Sequence, residues 1–186
     1  DTSVRFHKDN ENLMQMIYQI ISAYFEDDCS DELTLDPVFN AILEKNGLAS
    51  QPTLSRFFNR MGEDTLMQFD DIDKSLRDII YSIKRPEHML LDLDSTLFDT
   101  YGKQEGEGFN FHYQAHGYHP LLCYDDLTGD LLKAELRDGT LHCSNDADKF
   151  MEPLFQEYLE RGIKTYLRGD SGFSSPKLYK FFDRNG

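Results

Sequence analysis

Apolar positions recur at helical spacing along the first 86 residues and change to the spacing of strands from Met89 onward. Leu13, Ile17, Ile20, Ile21 and Tyr24 fall on one stripe, at the i, i+4, i+7, i+8 intervals of an amphipathic helix. Asp36-Pro37 opens a second, short helix over 38–44, with Asp as cap and Pro in the first turn, and Asn46-Gly47 stops it. A third helix starts at Pro52 and runs to Arg60, a fourth covers 66–83, and Arg85-Pro86 breaks the pattern. Residues 1–86 are therefore predicted to be a helical region.

The run 89–98 is largely apolar but interrupted by Asp92 and Asp94, as in a buried strand that presents acids near one end. A turn with Gly102, Gly106 and Gly108 follows, then strands over about 111–124 and 131–136. The linker 125–130 has Asp and Gly but no room for a helix, so these two strands form an antiparallel hairpin. Ser144-Asn145-Asp146 caps a helix carrying Phe150, Leu154, Tyr158 and Leu159 and ending near Gly162. A short strand, 163–167, leads into Arg168-Gly169-Asp170-Ser171-Gly172-Phe173, and Ser175-Pro176 starts a last helix over 177–182. Antiparallel strands 1–3, helix, strand 4, helix is an α/β (α+β) order, that of a ribonuclease H-like domain, here over 87–186. It places Asp94 in the first strand and Asp170 at the end of the fourth.

Composition narrows the class without fixing the function. Of 186 residues, 39% are hydrophobic and 28% charged, which fits a folded soluble protein. No apolar run is long enough to span a membrane, and the first residues lack the apolar segment of a signal peptide. Because the chain begins without Met, it is expected to be part of something longer. Cys29, Cys123 and Cys143 show no CxxC spacing and read as reduced cytosolic thiols. The net charge of −15 is spread along the chain, with no basic stripe of the kind that binds phosphate backbones.

Four groups of residues carry a resemblance to a known family. They are Asp94-Ser95-Thr96; Tyr101-Gly102-Lys103-Gln104-Glu105-Gly106; Phe109 to Pro120 (FNFHYQAHGYHP); and Arg168 to Phe173. Together, in that order, they resemble the DDE transposases of bacterial insertion sequences. Asp36-Pro37 and Ala49 to Phe57 resemble the helical part preceding the catalytic domain in that group. The resemblance implies metal-dependent DNA strand cleavage and transfer at element ends, with Mg²⁺ or Mn²⁺ held by two Asp and one Glu. Carried over by motif, Asp94 and Asp170 are the two aspartates. The Glu is expected beyond Gly186, so the chain alone is expected to be inactive. Double-stranded DNA at transposon ends and targets is the implied partner, a homodimer the implied assembly, and the bacterial cytoplasm, at the nucleoid, the implied location. Lys103 and Arg168 are candidate contacts to the DNA backbone. Residues 1–86 are a candidate DNA-end binding or dimerisation region, with Arg56 and Arg60 on a possible recognition helix.

Other readings compete for the same residues. Leu91-Asp92-Leu93-Asp94-Ser95-Thr96 also resembles the first motif of haloacid-dehalogenase-like phosphatases, with Asp92 as nucleophile, Asp94 as general acid and Asp170 as a metal ligand. That fold needs a parallel sheet with long crossovers, which a hairpin over 111–136 does not supply. A non-catalytic DNA-binding or dimerisation module is a further alternative. Strand alternation separates His112 and His116 from His119 and Cys123, which disfavours a zinc site. Asp92 and Asp99 also compete with Asp94, and periodicity cannot separate Asp92 from Asp94 because they share a face.

Overall fold

The computed structural model describes residues 6–185, with side-chain surroundings given through Arg184. The chain divides into two compact units, residues 1–69 and 70–186, a division that falls within one helix rather than at residue 86. The change from helix to strand does fall near residue 86.

The helices are α1 (Asp9–Ile21), α2 (Cys29–Leu33), α3 (Pro37–Ile42), α4 (Gln51–Phe58) and α5 (Glu63–Ile83). Asp36 caps α3 as expected, its carboxylate accepting from the amides of Val38 and Phe39 at 2.7 and 3.2 Å. α1 turns the other way from what its apolar stripe suggests. Ile17, Ile20 and Ile21 are exposed, whereas Asn12, Gln15 and Gln19 are buried. The cause is a backbone clamp: the Gln15 amide donates to the carbonyl of Ala49 at 3.0 Å and accepts from its N–H at 2.8 Å. A buried peptide group needs such partners. Ile72, Leu76, Ile79, Ile80 and Ile83 of α5 are likewise exposed.

In the second unit, β1 (His88–Ser95) is followed by β2 (Phe98–Asp99), β3 (Gly108–Asn110), β4 (Ala115–Tyr118), β5 (Leu121–Asp125) and β6 (Leu131–Glu135). Then come α6 (Ala147–Glu160), β7 (Lys164–Gly169), a 3₁₀ turn (Ser171–Phe173) and α7 (Pro176–Asn185). The main sheet has the order β6-β5-β1-β7, with β1 antiparallel to β5, β5 antiparallel to β6, and β7 parallel to β1. This is the ribonuclease H-like order. The antiparallel β1–β5 pair excludes the wholly parallel sheet that the phosphatase reading of Asp92 requires. Met89, Leu91 and Leu93 of β1 pack with Leu121, Cys123 and Leu132 against Phe150, Met151, Leu154 and Tyr158 of α6.

The single strand predicted over 111–124 is two strands in two sheets. Asn110 turns the chain at 111–114, its Oδ1 accepting from the amides of His112 and Tyr113. Pro120 has no N–H for a ladder, so β4 ends before it and β5 begins after it. β4 instead joins β2 and β3 in a second, three-stranded sheet of order β2-β4-β3. Asp146 directly precedes α6 as expected, but it is left-handed (φ 53°) and makes no cap bond. Its carboxylate pairs with Lys149 at 2.8 Å.

Two glycines let the small sheet close. A Cβ on Gly117 would sit 2.2 Å from the Phe98 carbonyl oxygen, and one on Gly139 would sit 2.2 Å from that of Gly117. Both obstacles are backbone. Gly117→Ala is therefore expected to destabilise the second unit by about 1–3 kcal/mol through forced separation of β2 and β4. Urea titration with hydrogen exchange at β2 and β4 amides measures this; an unshifted midpoint with full protection would show that the sheet yields freely.

Candidate functional site

Side chains of β1 alternate between two faces: Met89, Leu91 and Leu93 enter the core, and Leu90, Asp92 and Asp94 face away from it. The parallel register pairs Leu91 with Leu167, Asp92 with Arg168, and Leu93 with Gly169. The next residue on each chain is Asp94 and Asp170. Asp170 is still extended, with φ −70° and ψ 177°, so it continues the line of β7. Adjacent strands lie about 4.8 Å apart, so the two aspartates leave neighbouring backbones on the sheet face away from the core.

Each carboxylate is half committed. Asp94 Oδ1 accepts from the Ser95 amide at 2.7 Å, and Asp170 Oδ1 accepts from the Gly172 amide at 2.8 Å, capping the 3₁₀ turn. Neither Oδ2 has a hydrogen-bond or ion-pair partner among the described residues. Asp92 is different. Arg168 grips it in two places, Nε to Oδ1 at 3.0 Å and Nη2 to Oδ2 at 2.6 Å, and reaches Asp126 with Nη1 at 2.8 Å. A bidentate guanidinium–carboxylate pair of this kind occupies both oxygens. Of the two aspartates on this face of β1, Asp94 is thus the one with an oxygen to offer.

Hard, partly uncommitted carboxylate oxygens are the donor set that Mg²⁺ and Mn²⁺ accept, commonly from one or two protein carboxylates with water and phosphate completing the shell. The donor chemistry therefore fits such an ion. Among the described residues no group of three His, Cys, Asp or Glu is placed to hold a metal by itself. The histidines named with Cys123 disperse accordingly. His116 pairs with Glu107 at 2.8 Å, His119 bonds the Leu141 carbonyl, and the Cys123 thiol lies in the core, its pKa pushed up by burial to about 12. Asp99 sits exposed in β2, a strand of the second sheet.

The four cations proposed to touch DNA occupy different settings. Lys103 is exposed in the loop between β2 and β3. Arg168 is engaged by Asp92 and Asp126. On α4, where Leu54 and Phe57 are buried, Arg56 is exposed and donates to Thr53 Oγ1 at 3.3 Å. Arg60, just past its end, pairs with Asp9 at 2.5 Å.

Residues that sequence spacing does not bring together also border Asp170. A cleft of about 350 Å³ is lined by Asn110, His119, His142, Cys143, Asp170 and Gly172, among others. A Cβ on Gly172 would meet Cys143 Sγ at 2.6 Å, so the thiol is packed directly against the turn that Asp170 caps. Burial first, and then the negative charge of Asp170, holds the Cys143 thiol above its ordinary pKa.

The family model of the transposase DDE domain group 1 matches residues 1–186. No curated protein matches the chain. Among solved structures, the piggyBac transposase synaptic complex with hairpin DNA is 13% identical, with 92% of this chain and 44% of that one covered and a TM-score of 0.45. The Mos1 transposase paired-end complex with left transposon end is 10% identical, over 99% of this chain and 59% of that one, with a TM-score of 0.34. The Mos1 mariner paired-end complex with Mn gives 12%, 99%, 58% and 0.35 in the same order. This chain thus spans less than two thirds of the length of each.

The Cys143 thiol reports on Asp170. With its pKa raised, thiolate is scarce near neutral pH and grows only as pH climbs through the shifted value. Asp170→Asn removes the adjacent negative charge, lowers that pKa and is expected to speed alkylation of Cys143 at pH 8, followed by peptide mass spectrometry. An unchanged rate would place the Asp170 charge too far from the thiol to matter.

Proposed function

Because the chain belongs to the transposase DDE domain group 1 family, we propose that Asp94 and Asp170 are two of the metal-binding carboxylates of a centre for DNA strand cleavage and transfer at insertion-sequence ends. The observation that carries this reading is the juxtaposition of Asp94 and Asp170 at adjacent ends of β1 and β7, each with an oxygen that no cation of the described residues claims.

Mg²⁺ or Mn²⁺, when bound, supplies Lewis-acid stabilisation of the phosphoryl oxygens and activates the attacking water or 3′-hydroxyl. The chain's own residues prepare that place. Backbone amides of Ser95 and Gly172 fix the rotation of the two carboxylates, leaving Oδ2 of each for a ligand. Arg168 neutralises Asp92 and Asp126, limiting the negative charge that an incoming phosphate meets. The family pattern adds a Glu, which completes the donor set in this reading.

Titration with Mn²⁺, read by the loss of its free electron paramagnetic signal, tests the assignment. Asp94→Asn and Asp170→Asn are each expected to weaken binding roughly tenfold or more, while Asp92→Asn changes it little. Dependence on Asp92 instead would move the site. In this reading two of the three carboxylates lie among the described residues, so the chain alone is expected to leave supercoiled plasmid intact in Mn²⁺. Metal-dependent nicking abolished by Asp94→Asn would show that two aspartates suffice.

A further inference from the structure

The cleft that Asp170 borders extends beyond the two aspartates, and the rest of its lining points to a different ligand. Its volume of about 350 Å³ lies at the lower end of the roughly 300–1,000 Å³ of small-molecule sites. Phe111 and Tyr113 line it while 78% and 42% exposed, so each leaves ring surface open to a ligand. They are held in place. Asn110, itself buried, accepts from the amides of His112 and Tyr113 at 2.9 and 3.2 Å and donates to the Gly139 carbonyl at 2.8 Å. Phe111 stands edge-on to Phe109 at 5.1 Å, and Tyr113 edge-on to His119 at 5.9 Å.

The polar groups of the wall are equally defined. His119 Nδ1 lies 2.8 Å from the Leu141 carbonyl, which only accepts, so that nitrogen carries the proton and Nε2 remains an acceptor. His142 Nδ1 accepts from the Ser144 amide at 3.3 Å, which puts its proton on Nε2 as a donor. Among the described residues, no Lys or Arg lines the cleft. A phosphate therefore finds no counter-charge there, whereas a flat, neutral heteroaromatic ring finds faces to stack on and both a donor and an acceptor.

We propose that this cleft receives one unstacked nucleobase of the DNA strand whose phosphate lies at Asp94 and Asp170. The proposal rests on the transposase reading, which supplies the DNA. Bases stack on aromatic side chains without regard to sequence, and a base leaves the helix most easily where it is unpaired.

The test uses a duplex with one 5-iododeoxyuridine opposite an abasic site, with binding followed by fluorescence anisotropy and photocrosslinks mapped by mass spectrometry. The expected adduct falls on the peptide holding Phe111 and Tyr113, or on His119. Phe111→Leu with Tyr113→Leu should abolish it and weaken binding roughly five- to hundredfold, the loss of one base stack. Tyr113→Trp keeps a stacking face and should retain both, which separates stacking from misfolding. DNA binding with the adduct elsewhere, or untouched by the double Leu change, overturns the nucleobase site and leaves the metal centre standing. A chain that binds no DNA, with Mn²⁺ or without, overturns the functional reading and this site together.

Discussion

The parallel pairing of β1 with β7 is the constraint on which the site depends. It is a long-range contact between segments separated by a hairpin, a small sheet and a helix, and it is held in register by packing. Met89, Leu91 and Leu93 must meet α6 on one face, so β1 cannot slip by one residue without turning those side chains to solvent. The alternation that buries the leucines therefore puts Asp92 and Asp94 on the other face, and the pairing, which ends at Leu93 and Gly169, leaves Asp94 and Asp170 as the next residue of each chain. Hydrophobic burial, which is not directional, thus fixes the position of two charged groups.

Electrostatics then sorts the acids. Carboxylates packed this closely repel one another, and the strand end lies in a chain of net charge −15. Arg168 relieves part of that by bridging Asp92 and Asp126 from the position opposite Asp92 on β7. Arg168 is exposed, so the pair contributes little to stability. Its consequence lies in selection: it occupies Asp92 and leaves Asp94 and Asp170 as the acids without a cation.

Much of this was legible in the sequence because it depends on local periodicity. The strand around Asp94, the 125–130 hairpin, the capped start of α3 at Asp36 and the order of elements after Met89 all follow from spacing over a few residues. What escaped depends on partners far along the chain. Nothing near Pro120 says that the segment before it joins a second sheet, since that sheet closes where Gly117 and Gly139 let backbones touch. What distinguishes Asp92 from Asp94, invisible to the period, is the grip of Arg168 on Asp92 from 76 positions away. The wall of the cleft joins Asn110 and His119, from the Phe109 to Pro120 group, with His142 and Cys143, from the segment before α6 that no motif marks.

The helix α1 shows where amphipathic reasoning fails, and why. A hydrophobic stripe predicts the buried face only if apolar transfer outweighs every competing interaction, and here backbone groups compete. Ala49 is buried, with its N–H and carbonyl away from water, and an unpaired buried peptide group costs about 1–3 kcal/mol. Gln15 satisfies both with one side chain, as a strand would, and so draws the polar face of α1 inward. The apolar stripe is then turned to solvent. A chain folds to satisfy its buried peptide groups as well as its greasy ones, and the cost of exposing Ile17, Ile20 and Ile21 measures how firmly Gln15 must hold.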